Sequence, residues 1–113
     1  MESQVKLNEE RLKVVEKFKE QLPDLYGGLH GMLNVVYKDG ALSAKVKRLM
    51  SLAIALGVGC TNCILAQSKH AQSLGATKEE FLETISVAVA MRGSTGAGES
   101  MRVVKLLDEL GML

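Results

Sequence analysis

Cys60 and Cys63 are the only cysteines in the chain, and they stand three apart in Gly57-Val58-Gly59-Cys60-Thr61-Asn62-Cys63. An apolar segment leads into them and an amphipathic segment leads out. The pair therefore falls at a helix start. There the unpaired N–H groups of the first turn favour negative charge, and so thiolate over thiol. Two thiols at this spacing can share a redox cycle. One attacks a hydroperoxide and becomes a sulfenic acid, and the other closes it to a disulfide. The same pair can instead exchange with the disulfide of a partner. The plainer alternative is two small core hydrophobes, a common place for free cysteine.

Residues i, i+4 and i+7 share a helix face. Cys63, Gln67 and His70 thus form one stripe, with Cys60 a turn above. His70 is of a type that titrates near neutrality and can shuttle a proton. It is equally readable as a plain polar residue near a helix end. His30, set among glycines in Gly27-Gly28-Leu29-His30-Gly31, reads as structural or exposed. Cys60, Cys63 and His70 are three soft ligands, but His70 lies about 10 Å along the axis from Cys63, too far for one tetrahedral ion. No metal and no cofactor is expected.

The elements that must position these groups are helical. The chain has 113 residues, enough for one domain over 1–113, and 47% of them are hydrophobic with only 4% aromatic. Its core must be aliphatic, helped by six methionines. Net charge is +1, with no basic stripe interleaved with aromatics, so nucleic acid is not an expected partner. The longest apolar run, Leu49 to Gly59, is about half of the roughly 20 residues a bilayer span needs. Met1 to Lys6 shows no apolar signal segment, so no membrane association and a cytoplasmic location are expected. In that compartment a lone Cys-x-x-Cys points to redox or metal chemistry rather than a structural staple.

Periodicity and punctuation predict an all-α chain of six helices. The first runs from about Leu7 to Gln21, with Leu12, Val15, Phe18 and Leu22 on one face. Pro23 ends it and opens a second, to about Tyr37. Ser43 caps a third over about Ala44 to Leu56, apolar all round in its second half and so needing cover on every side. A fourth spans about Asn62 to Leu74 and stops at Gly75. Thr77-Lys78-Glu79-Glu80 is a capping box for the fifth, which carries Phe81, Leu82, Ile85, Ala88 and Val89. Gly93-Ser94-Thr95-Gly96 should break the chain before a sixth, about Ala97 to Leu110. Ile54, Ala55, Leu56, Val87 and Val89 suggest surfaces covered by a second subunit, hence a homo-oligomer.

Cys60-Thr61-Asn62-Cys63-Ile64-Leu65-Ala66, followed by Gly75-Ala76-Thr77-Lys78-Glu79-Glu80-Phe81, resembles the carboxymuconolactone decarboxylase and alkylhydroperoxidase D superfamily. The resemblance covers about Ser43 to Leu110. It implies an alkylhydroperoxidase D-like helical bundle that assembles as a homo-trimer or homo-hexamer. It also implies that Cys63 is the peroxide-attacking thiol and Cys60 its proton donor and disulfide partner. The helix dipole alone would favour Cys60, nearer the helix start. The redox branch carries a glutamate and a histidine as a proton relay, and here those two positions hold Arg48 and Gln67. Neither can serve as a base near neutral pH. Arg48 can still depress a thiol pKa.

The expected function is a thiol-dependent peroxidase, an antioxidant of peroxiredoxin type. Its substrate is a hydroperoxide, and a dithiol or protein reductant restores it. The missing relay should cost a factor of about 10²–10⁴ in rate, and His70 could stand in for part of it. Three other readings compete: a thiol–disulfide carrier or redox sensor without peroxidase turnover, a carboxymuconolactone decarboxylase-like enzyme with Arg48 binding a carboxylate, and a purely structural oligomer.

Overall fold

A computed structural model describes all 113 residues as six helices with no strand. In chain order these are α1 (Gln4–Gln21), α2 (Pro23–Val36), α3 (Ala44–Val58), α4 (Thr61–Ser73), α5 (Lys78–Arg92) and α6 (Ser94–Glu109). Local chemistry sets their starts. Pro23 occupies the first turn of α2, and the Ser43 hydroxyl accepts the Val46 N–H at 3.1 Å to cap α3. Thr77 and Glu80 form the reciprocal capping box of α5.

α3 is the central helix, packed against α4 on one side and α5 on the other, with α6 behind α5. Leu52 and Leu56 of α3 meet Ile64 of α4, Phe81 of α5, and Val103 and Leu107 of α6, all at most 1% exposed. Each such burial is worth about 1.5–3 kcal/mol, so this cluster holds the bundle. Leu106 of α6 is equally buried.

α1 lies across α4 and α6, and α2 packs mainly on α1, with the Lys47 ammonium of α3 donating to the Val36 carbonyl at its end. The apolar face of α1 is not its buried face. Its buried residues are polar, Gln4 and Asn8. The Ser3 hydroxyl and the Gln4 N–H (at 2.6 Å) both donate to the Glu109 carboxylate, which ties the start of α1 to the end of α6. The Ser3 hydroxyl, then the Gln4 N–H, hold that carboxyl below its usual range. Ser3 also caps α1, so the helix begins at Gln4 rather than near Leu7.

The break between the last two helices is shorter than the sequence suggests. Gly93 alone supplies it, and α6 begins at Ser94 instead of Ala97. At φ 66°, ψ −142°, Gly93 reverses the chain in one residue, a conformation open to glycine. Gly96 lies inside α6, where an added Cβ would sit 2.9 Å from the Ala88 carbonyl oxygen of α5. Its lack of a side chain lets the two helices cross closely.

The α3 surface is covered only in part within one chain. Ala55 and Leu56 belong to the chain's own core, not to a subunit contact. Ile54 is 65% exposed, and with Val58, Val87 and Met91 it leaves a broad apolar face open. No helix is long and apolar enough to cross a membrane.

Candidate active site

Gly59 closes α3 in the left-handed region at φ 76°, which turns the chain sharply into α4. The Arg92 guanidinium donates to the Gly57 carbonyl at the end of α3. Arg92 and Glu99 both lie beside the Gly59 Cα. Arg92 in the last turn of α5 and Glu99 in the second turn of α6 thus brace the joint that presents Cys60.

Cys60 is the N-cap of α4, and its Sγ accepts the Cys63 N–H at 3.2 Å. Cys60 and Cys63 are joined as a disulfide, with Cα atoms 5.2 Å apart. Cys60 is half-buried and Cys63 exposed. The two sulfurs therefore neither hide in the core nor stand apart, as two packing residues would.

The other residues singled out from sequence meet one turn further along α4. Arg48 of α3 donates a hydrogen bond from Nη1 to Gln67 Oε1 at 3.1 Å. Its guanidinium also lies over the Tyr37 ring, 3.4 Å from the centroid. Burial lowers the Arg48 pKa, opposed by the charge and hydroxyl of Tyr37. Gln67 and His70 face a cleft of about 370 Å³ enclosed by α1, α2, α3 and α4. Neither cysteine lines it.

Three residues of this cleft were not among the sequence candidates: Arg11 of α1, and Tyr26 and His30 of α2. His30 is half-buried and stacks on Tyr26 with ring centroids 4.0 Å apart, so it is neither isolated nor simply exposed. A recoverable signal existed. Arg11, Val15 and Phe18 follow i, i+4, i+7 spacing, as do Tyr26, His30 and Leu33, and all six line the cleft.

His70 keeps an exposed edge, yet its imidazole pKa lies below the ordinary 6.5. Burial against the cleft is the main cause, followed by the positive charges of Arg48 and Arg11 and then by His30. A neutral His70 at neutral pH can accept a proton. A hollow of about 270 Å³ adjoins the cleft along α1. It shares Arg11, Val15 and Phe18 and reaches Asn62, between the two cysteines. No group of three or more His, Cys, Asp or Glu side chains is placed to hold a metal ion.

The fold and the Cys-x-x-Cys helix joint have counterparts. The profile of the carboxymuconolactone decarboxylase family matches residues 23–106. The chain belongs to the carboxymuconolactone decarboxylase family. A solved member, the apo crystal structure of a carboxymuconolactone decarboxylase family protein from Legionella pneumophila, superposes with a TM-score of 0.89 at 29% identity. The match covers 96% of this chain and 97% of that one. An uncharacterized protein of the cox locus of Paracoccus denitrificans is 37% identical over 76 residues, covering 67% of this chain and 68% of that protein. An uncharacterized Cupriavidus necator protein is 30% identical over 88 residues, 78% of each chain. An uncharacterized protein of Methanocaldococcus jannaschii is 31% identical over 103 residues, covering 87% of this chain and 92% of its own length. Family membership accounts for the all-helical bundle expected from sequence.

Proposed function

We propose that this family member is a thiol-dependent peroxide reductase that works through Cys60 and Cys63. The observation that carries the reading is the Cys60–Cys63 disulfide at the opening turn of α4, with Cys63 the more exposed. In the cycle, the Cys63 thiolate attacks the distal peroxide oxygen. The O–O bond breaks, Cys63 becomes a sulfenic acid, and the leaving alkoxide takes a proton to become an alcohol. The Cys60 thiol then attacks the sulfenic sulfur, water leaves, and the disulfide forms. A dithiol or protein reductant returns two electrons and two protons.

The first-turn N–H groups of α4 support thiolate formation at both positions. Proton delivery is the weak step. The relay positions hold Arg48 and Gln67, which bond to each other and supply no titrating group near pH 7. His70, one turn on and neutral at pH 7, is the nearest group on this face of α4 that can take up a proton and pass it on. The open apolar surface of α2 and of the α3–α5 face supports assembly as a homo-trimer or homo-hexamer. Cycling through a reducible disulfide suits a cytoplasmic setting.

The Arg48–Gln67 pair also favours a second reading, a thiol–disulfide carrier with no peroxide turnover of its own. Such exchange needs a thiolate but no relay to a leaving hydroxide. One experiment separates them. Free thiols of the reduced protein are titrated before and after one equivalent of hydrogen peroxide, in wild type and in Cys63→Ser. A reductase loses both thiols promptly, and Cys63→Ser keeps its remaining one. If the wild type keeps both thiols with peroxide yet loses them to an oxidised dithiol, the carrier reading stands instead. If Cys63→Ser consumes peroxide as fast as wild type, neither does.

A further inference from the structure

The cleft beside α4 has a charge pattern that the sulfur chemistry does not use. Arg11 enters from α1 and Arg48 from α3, with His30 from α2 and His70 from α4. No acidic residue lines it. The ion pairs of the chain are Lys45–Glu80 and Arg102–Glu2, so neither cleft arginine has a carboxylate partner. Each instead meets neutral oxygen: Arg11 Nε donates to Asn8 Oδ1 at 2.9 Å, and Arg48 donates to Gln67. Both are half-buried, and burial lowers the pKa of each. Much of the remaining lining is apolar, including Val15, Phe18, Leu29 and Leu33. The volume, about 370 Å³, falls within the roughly 300–1,000 Å³ of small-molecule sites.

A partly desolvated guanidinium without a counter-ion is costly to bury. Both arginines repel the proton of His70, so each places positive charge in the same cleft. A guanidinium pair matches the geometry of a carboxylate and exchanges neutral partners for charge-assisted ones. We infer that this cleft is a binding site for a small organic anion with an apolar body, its carboxylate held by Arg11 and Arg48 and its hydrocarbon lying along Val15, Phe18, Leu29 and Leu33. Arg11 and Phe18 also border the hollow that reaches Asn62. A bound ligand would therefore extend from the arginines toward the cysteine turn. Binding itself needs neither sulfur.

The probes are octanoate, octanol and octylammonium, measured by calorimetry on the full chain at low salt. Octanoate should bind about tenfold or more tightly than octanol, since a hydrogen bond to a charged group is worth about 1.5–3 kcal/mol. Octylammonium should not bind. Arg11→Gln and Arg48→Gln should each weaken octanoate by about tenfold and leave octanol unchanged. Lys78→Gln, which removes a positive charge at the exposed start of α5, should bind as wild type does. Arg48 also packs on Tyr37, so Arg11→Gln alone decides if Arg48→Gln fails to fold. A wild-type readout stands beside the variants: octanoate should raise the pKa of His70, followed by NMR, because it offsets the charge of Arg48 and Arg11. The Cys60→Ser/Cys63→Ser double variant should bind octanoate unchanged, which keeps this site separate from the peroxidase reading. Equal binding of octanoate and octanol would overturn the inference. So would octanoate affinity untouched by Arg11→Gln, or reduced as much by Lys78→Gln.

Discussion

Arg48 on α3 and Gln67 on α4 hydrogen-bond to each other at 3.1 Å, in the two positions that the resemblance assigns to a glutamate–histidine proton relay. The pair links the two helices and holds no group that titrates near pH 7. Installing an acid and a base there should supply proton delivery. In the Arg48→Glu/Gln67→His double variant, peroxide turnover should rise by about 10²-fold or more. Gln67→His alone should gain little, because the adjacent Arg48 charge opposes protonation of the new imidazole. Stopped-flow measurement of thiol loss against hydroperoxide concentration reads both. A double variant no faster than wild type would show that proton transfer does not limit the reaction.

The Cys60 sulfur has a second role, as the N-cap that accepts the Cys63 N–H. Serine caps a helix well and alanine does not. Under reducing conditions Cys60→Ser should unfold at the wild-type urea midpoint or above, while Cys60→Ala should lose about 1 kcal/mol. Equal stability of the two variants would remove the cap from the account.

Which parts of this architecture were legible in the sequence follows from the range of the forces involved. Pro23, Ser43 and the Thr77–Glu80 box act over three or four residues, and the helices they open start within a residue of the expected places. The Cys60–Cys63 helix start is local in the same way. The cleft is not. It exists because α1 folds back over α4 and carries α2 with it, so Arg11, Tyr26 and His30 meet α4 only through tertiary packing. Periodicity marks Leu12 and Phe18 as part of an apolar face but cannot tell a core face from a cleft wall. Both line the cleft and are at least 40% exposed. The expected four-residue break before α6 failed for another reason. Gly96 looks like a breaker in the sequence, but it sits inside α6 as a spacer against Ala88.

That spacer role sets a contrast between two glycines of one helix. An added Cβ at Gly96 would meet the Ala88 carbonyl oxygen at 2.9 Å and the Arg92 Cβ at 3.3 Å, while at Gly98 it would meet nothing within 4 Å. Gly96→Ala should force α5 and α6 apart and cost about 1–3 kcal/mol. Gly98→Ala should stabilise the chain by about 0.5–1 kcal/mol, through helix propensity alone. Urea denaturation of the two variants checks the opposite signs. A stabilising Gly96→Ala would mean that the helices do not cross so closely.

His70 makes stability depend on pH in a direction that the geometry fixes. Burial in the cleft, then Arg48, Arg11 and His30, hold its pKa below the ordinary 6.5. Above that value the imidazole is neutral in both the folded and unfolded chain, and its contribution to stability is fully present. As the pH falls through about 6.5, the unfolded chain binds the proton first and gains relative to the folded one. Stability is then lost progressively until the pH passes the lowered folded value. His70→Gln removes the titrating group, so its urea midpoint should fall less than that of wild type between pH 7.5 and pH 5.5. The Arg11→Gln variant should show an intermediate slope, since it relieves one of the charges that oppose protonation. A His70→Gln protein that loses as much stability as wild type over this interval would show that the acid sensitivity arises elsewhere.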